Sequence, residues 1–310
     1  MYICGLFEKP FIMKKLRFLV VGIVLLSVFC ACQKDQLGVY DPKFKIQKVY
    51  AEGDNRYMLE QWTWNGATLD KIDFYRPSGT LNYTHQYQYD EKNRLTRIES
   101  GDQYTEFLYD GKQLTTINTY QRDKLQETYH LTFDKDKLVH ISIEKPTKGT
   151  GNAGLLPFFI PGTPDVAELV FPAKDSKLES YDYSSAEIEF QWQDDNVQYM
   201  RMELVRPDSI QHLTFSYVYD ESLNPKNGFL TLLTDHALLN DRPQYHFCSK
   251  NNALNVLVTD KYDIFSETKS FTYGYDCYKK YPTKIYSTFF NRETNKEDST
   301  LIYTYVYAFQ

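Results

Sequence analysis

The chain has no excess of positive charge: 35 Lys and Arg stand against 41 Asp and Glu, giving a net charge of −6. That balance argues against nucleic acid as a partner and against electrostatic adhesion to anionic lipid. Cysteine is scarce, 5 in 310 residues. His246 and Cys248 share a strand face, and Cys277 could join them, but a structural zinc site would show a second close ligand pair. No Gly-x-Ser-x-Gly occurs. Ser142 and Lys145, like Ser266 and Lys269, match Ser-x-x-Lys, but in strand-like or loop sequence the fourth residue does not come round as it does on a helix. Gly149, Gly151 and Gly154 spell a dinucleotide fingerprint, yet Pro157 and Pro161 follow where a helix N-terminus must hold the pyrophosphate. Asp134/Asp136 and Asp194/Asp195 stand where turns want Asp, which outweighs a calcium reading. No two carboxylates are marked as a glycosidase pair. The expectation is a protein with no catalytic residues, no metal, no cofactor and no nucleotide.

What is abundant is aromatic: 27 Tyr and 20 Phe, residues that suit a pleated, half-buried surface. They recur in a phrase, an aromatic followed by Asp or Asn, a few turn residues, then Leu or Val and usually Ile. It reads Trp64-Asn65…Leu69…Ile72, Tyr89-Asp90…Leu95…Ile98, Tyr109-Asp110…Leu114…Ile117, Phe133-Asp134…Leu138…Ile141, and more loosely Trp192…Asp195…Val197. From Asn65 to Asp90, Asp110 and Asp134 the intervals are 25, 20 and 24 residues, room for two strands and two turns. Between the turns the period is two. Tyr83, His85, Tyr87 and Tyr89 alternate with polar residues, as do Ile188, Phe190 and Trp192, so each strand has one apolar and one wet face. Asn65-Gly66 and Asp110-Gly111 are tight-hairpin pairs. Leu and Ile lie three apart in each phrase, which would put them on opposite faces of a regular strand. Either a bulge follows each turn or both sheet faces are partly covered. The fold class is all-β, a long antiparallel meander of hairpin repeats curling into an open or closed barrel-like sheet.

Met13 is a better start than Met1. Lys14, Lys15 and Arg17 precede an apolar run from Phe18 to Phe29, then Cys30-Ala31-Cys32, the layout of a secretory signal over residues 1–31. Cys32, with the small Ala31 before it, is the candidate lipidated residue. Loss of residues 1–31 removes four cations and one anion, taking the net charge from −6 to −9. Residues 32–45 read as a lipidated tether and 46–310 as a single all-β domain. Two stretches break the pattern. Residues 145–177 carry four glycines, five prolines and the apolar run Leu155–Ile160, a candidate lid through Leu155, Phe158, Phe159 and Ile160. Residues 224–252 include Phe229–Leu239, a candidate short helix. Cys248 and Cys277 would lie in an oxidising compartment, where a disulfide between them or two buried thiols are both open.

Tyr89-Asp90…Arg94-Leu95-Thr96 resembles the tyrosine–aspartate repeats of large bacterial surface and toxin-shell proteins, with Asn93 where those carry Gly. The C-terminal half has Tyr219-Asp220…Asn224-Pro225, Ser249-Lys250-Asn251-Asn252 and Tyr273…Tyr275-Asp276…Tyr281-Pro282-Thr283-Lys284-Ile285. It closes on Tyr303, Tyr305, Tyr307 and Phe309. After a lipoprotein signal, this order resembles a Bacteroidetes lipoprotein family of unknown function with a porin-like fold. The resemblance implies a meander curling toward a barrel on a lipid anchor in the outer membrane, the occupied face being open, and it carries over no catalytic residue.

A membrane-spanning wall is not expected, because the exposed faces are rich in Tyr, His and Thr and are interrupted by Arg97, Glu106 and Glu127. The expected function is therefore non-enzymatic: an outer-membrane lipoprotein whose sheet surface binds a glycan or an envelope protein. Trp62, Trp64 and Trp192 are the candidate binding surface, since aromatics on a wet face can stack on sugar rings or anchor a protein. The alternative is a carrier of a lipid or other apolar molecule in a half-barrel cavity.

Overall fold

The computed structural model describes residues 37–53, 55–145, 184–205, 209–230, 249–260, 266–274, 280–291 and 295–308. Its strands are β1 (Ile46–Ala51), β2 (Tyr57–Asn65), β3 (Thr68–Tyr75), β4 (Leu81–Tyr89), β5 (Leu95–Ser100), β6 (Gln103–Asp110), β7 (Gln113–Gln121) and β8 (Lys124–Asp134). They continue as β9 (Lys137–Glu144), β10 (Ser185–Gln193), β11 (Asn196–Val205), β12 (Ile210–Leu223), β13 (Asn251–Asp260), β14 (Ser266–Gly274), β15 (Lys284–Asn291) and β16 (Lys296–Tyr307). Each strand pairs antiparallel with its sequence neighbours. Strand β1 also pairs with β16, Ile46 opposite Tyr307 and Ala51 opposite Tyr303, so the meander closes into a barrel without edges.

Closure of a meander sorts the connections by end. Turns after even-numbered strands, the ones that carry the aromatic–Asp phrase, all lie at one end, here called the repeat end. The strand ends that flank residues 145–184 lie at the other, and those that flank 224–250 lie at the repeat end.

A bulge resolves the spacing of Leu and Ile. Thr63 faces Lys71 but the next residue, Trp64, faces Leu69, leaving Asp70 as the extra residue of β3. The same shift follows Gln88, Leu108, Thr132, Gln191 and Val218. One extra residue restores parity, so Leu69 and Ile72 both turn inward, 0% and 1% exposed.

The aromatic of each phrase has a structural task. The Trp64 and Trp192 indole N–H groups donate to the Ile46 and Leu138 carbonyls, both at 2.7 Å. The hydroxyls of Tyr109, Tyr219, Tyr273 and Tyr307 donate to the carbonyls of Leu95, Val197, Ala253 and Pro282 at 2.6–2.8 Å. Tyr89 hydrogen-bonds the Leu69 backbone. In each case a donor on an even-numbered strand grips the backbone of the preceding hairpin, stitching the repeat end at every even-numbered strand but β8. Phe133 is the member of this ring without a donor. Phe133→Tyr would place a hydroxyl toward Leu114 and is expected to add about 1 kcal/mol of stability. The readout is a higher urea midpoint at unchanged slope; no gain would put the Leu114 carbonyl out of reach.

The turns are built for their strain. Asp90 accepts from the Lys92 and Arg94 N–H groups at 2.8 and 2.9 Å and from the Arg94 guanidinium at 2.7 Å. Desolvation opposes ionisation of Asp90, but these donors outweigh it and hold its carboxyl below the usual range. Asn93 takes φ +57°, the left-handed conformation for which glycine is the usual choice.

The alternation fixes what the barrel shows and hides. Leu69, Ile98, Ile117, Ile141, Ile188 and Phe215 face in and are closed off from solvent. The outer face presents Gln86, Gln88, Arg97, Glu106, Thr116, His130, Glu187, Arg201 and Thr214. Leu108, Ile210, Val218 and Leu257 are exposed among these polar residues, whereas a barrel that crosses a bilayer carries an apolar band outside and polar groups within. Glu127 departs from the sequence expectation: it is 1% exposed and turned inward, where it accepts from the Tyr129 hydroxyl at 2.5 Å. Burial and that carboxylate push the Tyr129 hydroxyl well above its ordinary range.

Candidate functional site

The three tryptophans do not form an outer surface. Trp62, expected on a wet face, is 4% exposed inside the barrel. Trp64 stacks on it with centroids 6.2 Å apart and is half-buried, as is Trp192. The reason is parity: both share an inward register with their strands' apolar residues, and their N–H groups belong to the stitched ring. Cys32, Cys248, Cys277, Leu155, Phe158, Phe159 and Ile160 lie outside the described residues, as does the candidate helix beyond Leu230.

The repeat end is stopped by two segments. Residues 37–45, at the end of the expected tether, cross the mouth as a strap. The Gly38 carbonyl accepts from the Leu95 N–H at 2.9 Å, the Tyr40 hydroxyl donates to the Pro225 carbonyl at 2.6 Å, and the Lys45 carbonyl accepts from the Ala308 N–H at 2.8 Å. Beneath the strap Pro225–Leu230 turns inward. Tyr40, Trp62 and Phe229 pack with centroids 4.9–6.2 Å apart. Gly38, Tyr40, Tyr87, Tyr89, Phe229 and Leu230 border a narrow cleft with room for little more than one water molecule.

An ion pair lies under this plug. Lys226 Nζ is 3.4 Å from Glu60 Oε2, which also accepts from the Trp62 N–H at 2.8 Å. The ammonium sits 5.2 Å from the Trp62 ring centroid, within cation–π range. Lys226 and Glu60 are 4% and 6% exposed. Desolvation depresses the Lys226 amine below its ordinary value, against the opposing pull of the Glu60 carboxylate.

A second cluster stands on the outer wall of β5–β7, toward the end opposite the repeats. Tyr104 and Tyr120 are cross-strand partners stacked at 4.5 Å and 14°, and the Arg97 guanidinium covers Tyr104 at 3.6 Å from its centroid. Arg97 reaches Glu99 at 3.0 Å and Glu106 at 3.2 Å. Asn118 faces Glu106 and accepts from the Thr128 hydroxyl at 3.0 Å. Desolvation raises both tyrosine hydroxyls above their usual value, helped by Asp123 and Glu106 at Tyr104 and by Glu106 at Tyr120. Sequence reasoning passed over this pair. The signal was present, because Tyr104 and Tyr120 occupy the polar parity of their strands, out of phase with the inward Thr105, Phe107, Ile117 and Thr119.

Further along the wall Glu187 accepts from Ser142 Oγ at 3.0 Å and faces His140 Nε2 at 2.8 Å. Ser142 thus donates its hydroxyl to a carboxylate that also faces His140. Among the described residues no three His, Cys, Asp or Glu side chains converge as metal ligands would.

No protein family's model matches the chain, and no curated protein matches it in sequence. Solved structures do share its architecture. A porin-like protein from Bacteroides vulgatus is 9% identical over 86% of this chain and 99% of its own length, with a TM-score of 0.50. A porin-like protein from Bacteroides uniformis is 12% identical over 89% of this chain and 100% of its own, with a TM-score of 0.48. At these identities the likeness concerns the fold alone. This chain has the barrel-like fold of a porin-like protein from Bacteroides.

Proposed function

We propose that the chain is a non-enzymatic binding protein of the cell envelope, anchored to the outer membrane by lipid on Cys32, whose barrel wall recognises a neutral glycan at the Arg97–Tyr104–Tyr120 cluster. The polarity of the wall supports a barrel standing in water, since charges such as Arg97 and Glu106 would each cost several kcal/mol on a lipid face near the midplane. The observation that carries the ligand class is the composition of the cluster. A tyrosine face suits the C–H face of a sugar ring, and Glu99, Glu106 and Asn118 offer acceptors and a donor for its hydroxyls. One guanidinium against two carboxylates leaves the patch acidic, which disfavours sulfated or uronic acid chains.

The test is a screen of the full-length protein in mild detergent against arrayed neutral and acidic glycans. Binding to a neutral glycan should fall at least about tenfold in Tyr120→Ala with an unchanged thermal midpoint, the loss of one aromatic anchor. Binding confined to acidic glycans, or indifferent to Tyr120, would sink the reading. A second reading, a carrier of an apolar molecule, predicts a stoichiometric lipid in solvent extracts of the purified protein.

A further inference from the structure

We infer that the repeat end of the barrel rests on the phospholipid headgroups and the opposite end points away from the membrane; this orientation depends on the lipid attachment at Cys32 proposed above. The strap fixes where the chain enters the barrel. It is bound at Gly38, Tyr40 and Lys45 to Leu95, Pro225 and Ala308, all at the repeat end. Only residues 33–36 lie between Cys32 and Leu37, so the link spans at most roughly 18 Å when fully extended. Most strands have 8–12 residues and, tilted as in a barrel, make a wall roughly 20–30 Å tall. A link that leaves from the repeat end is too short to set the opposite end on the bilayer.

The charge of the repeat end suits such a seat without driving it. Its exposed turns and strap carry Lys43, Lys92, Lys112 and Lys135 beside Asp41, Glu91, Asp110 and Asp134. Mixed signs give little net attraction to anionic lipid, so the acyl chains supply the binding and the strap supplies the direction. The orientation also turns the Tyr104–Tyr120 cluster outward. Tyr104 directly follows Gln103 at the β5–β6 turn, and Tyr120 directly precedes Gln121 at the β7–β8 turn, both at the opposite end.

The test is acetylation footprinting of native lysines by mass spectrometry. Full-length protein purified from membranes and bound to phosphatidylcholine vesicles is compared with the Cys32→Ala chain free in solution. Lys92, Lys112 and Lys135 should be protected at least about threefold on vesicles, while Lys124 and Lys296 at the opposite end react equally in both. The pattern should persist when phosphatidylglycerol is added. Protection of Lys124 and Lys296, protection of Lys71 on the wall, or equal reactivity everywhere would overturn the orientation. A protein that lacks acyl mass and fails to pellet with vesicles would instead refute the lipid attachment, and the orientation with it.

Discussion

Glu60→Leu alone is expected to destabilise the barrel by about 3–5 kcal/mol, the usual consequence of stripping one partner from a buried ion pair. Lys226 would lose its carboxylate while remaining 4% exposed beneath Tyr40 and Phe229. Lys226→Met should cost less, because Glu60 keeps the Trp62 N–H at 2.8 Å. The double variant Glu60→Leu/Lys226→Met should recover most of the loss, since an apolar pair of similar volume escapes the desolvation of both charges. Urea midpoints of the four proteins close the cycle. Additive single losses would mean that the two groups are not coupled.

The pH dependence supplies an independent sign. The folded Lys226 amine is depressed below the ordinary 10.5. Between its folded and unfolded values the unfolded chain binds more protons, so stability rises with pH across that window. Below the folded value the cost of burying the charge is fully present. Burial raises the hydroxyls of Tyr40 and Tyr129, and each is fully protonated in both states until pH nears 10; above that their effect is the opposite, a loss of stability. The Lys226 contribution is therefore readable on the alkaline side below pH 10, and Lys226→Met should remove that upward slope.

Much of the scaffold was legible because its signals are local. The period of two, the Asn65-Gly66 and Asp110-Gly111 turns and the recurring phrase all lie within a few residues of one another. The spacing of Leu69 and Ile72 even posed the right question, and only the register with Trp64 could answer it. The misplacement of Trp62, Trp64 and Trp192 came from weighing residue type above parity, for Trp192 alternates with Ile188 and Phe190. The mouth carried no such clue. Tyr40 meets Pro225 across 185 positions, and Lys226 meets Glu60 across 166. Contacts of that range follow from closure of the barrel, and no window of sequence encodes them.

Gly38→Ala tests whether the strap belongs to the fold, and its cost is expected at about 2–4 kcal/mol. Two terms add. Gly38 has φ +89°, where a Cβ is strained by one to two kcal/mol. The added Cβ would also overlap the Tyr109 hydroxyl, and that hydroxyl cannot easily yield because it donates to the Leu95 carbonyl at 2.8 Å. Leu95 in turn donates its N–H to the Gly38 carbonyl at 2.9 Å, so strap, β5 and β6 are tied through one backbone residue. Tyr109→Phe alone should cost about 1 kcal/mol for the lost hydrogen bond. In the Gly38→Ala background the same change removes the overlapping atom, so the double variant should be more stable than the sum of the singles predicts. Hydrogen exchange locates the damage: protection at Leu95 should drop in Gly38→Ala while Ile141 and Ile188, away from the strap, keep theirs. If Gly38→Ala leaves both the urea midpoint and Leu95 protection unchanged, the strap is only draped over the mouth, and the fixed exit point on which the barrel's orientation depends is lost with it.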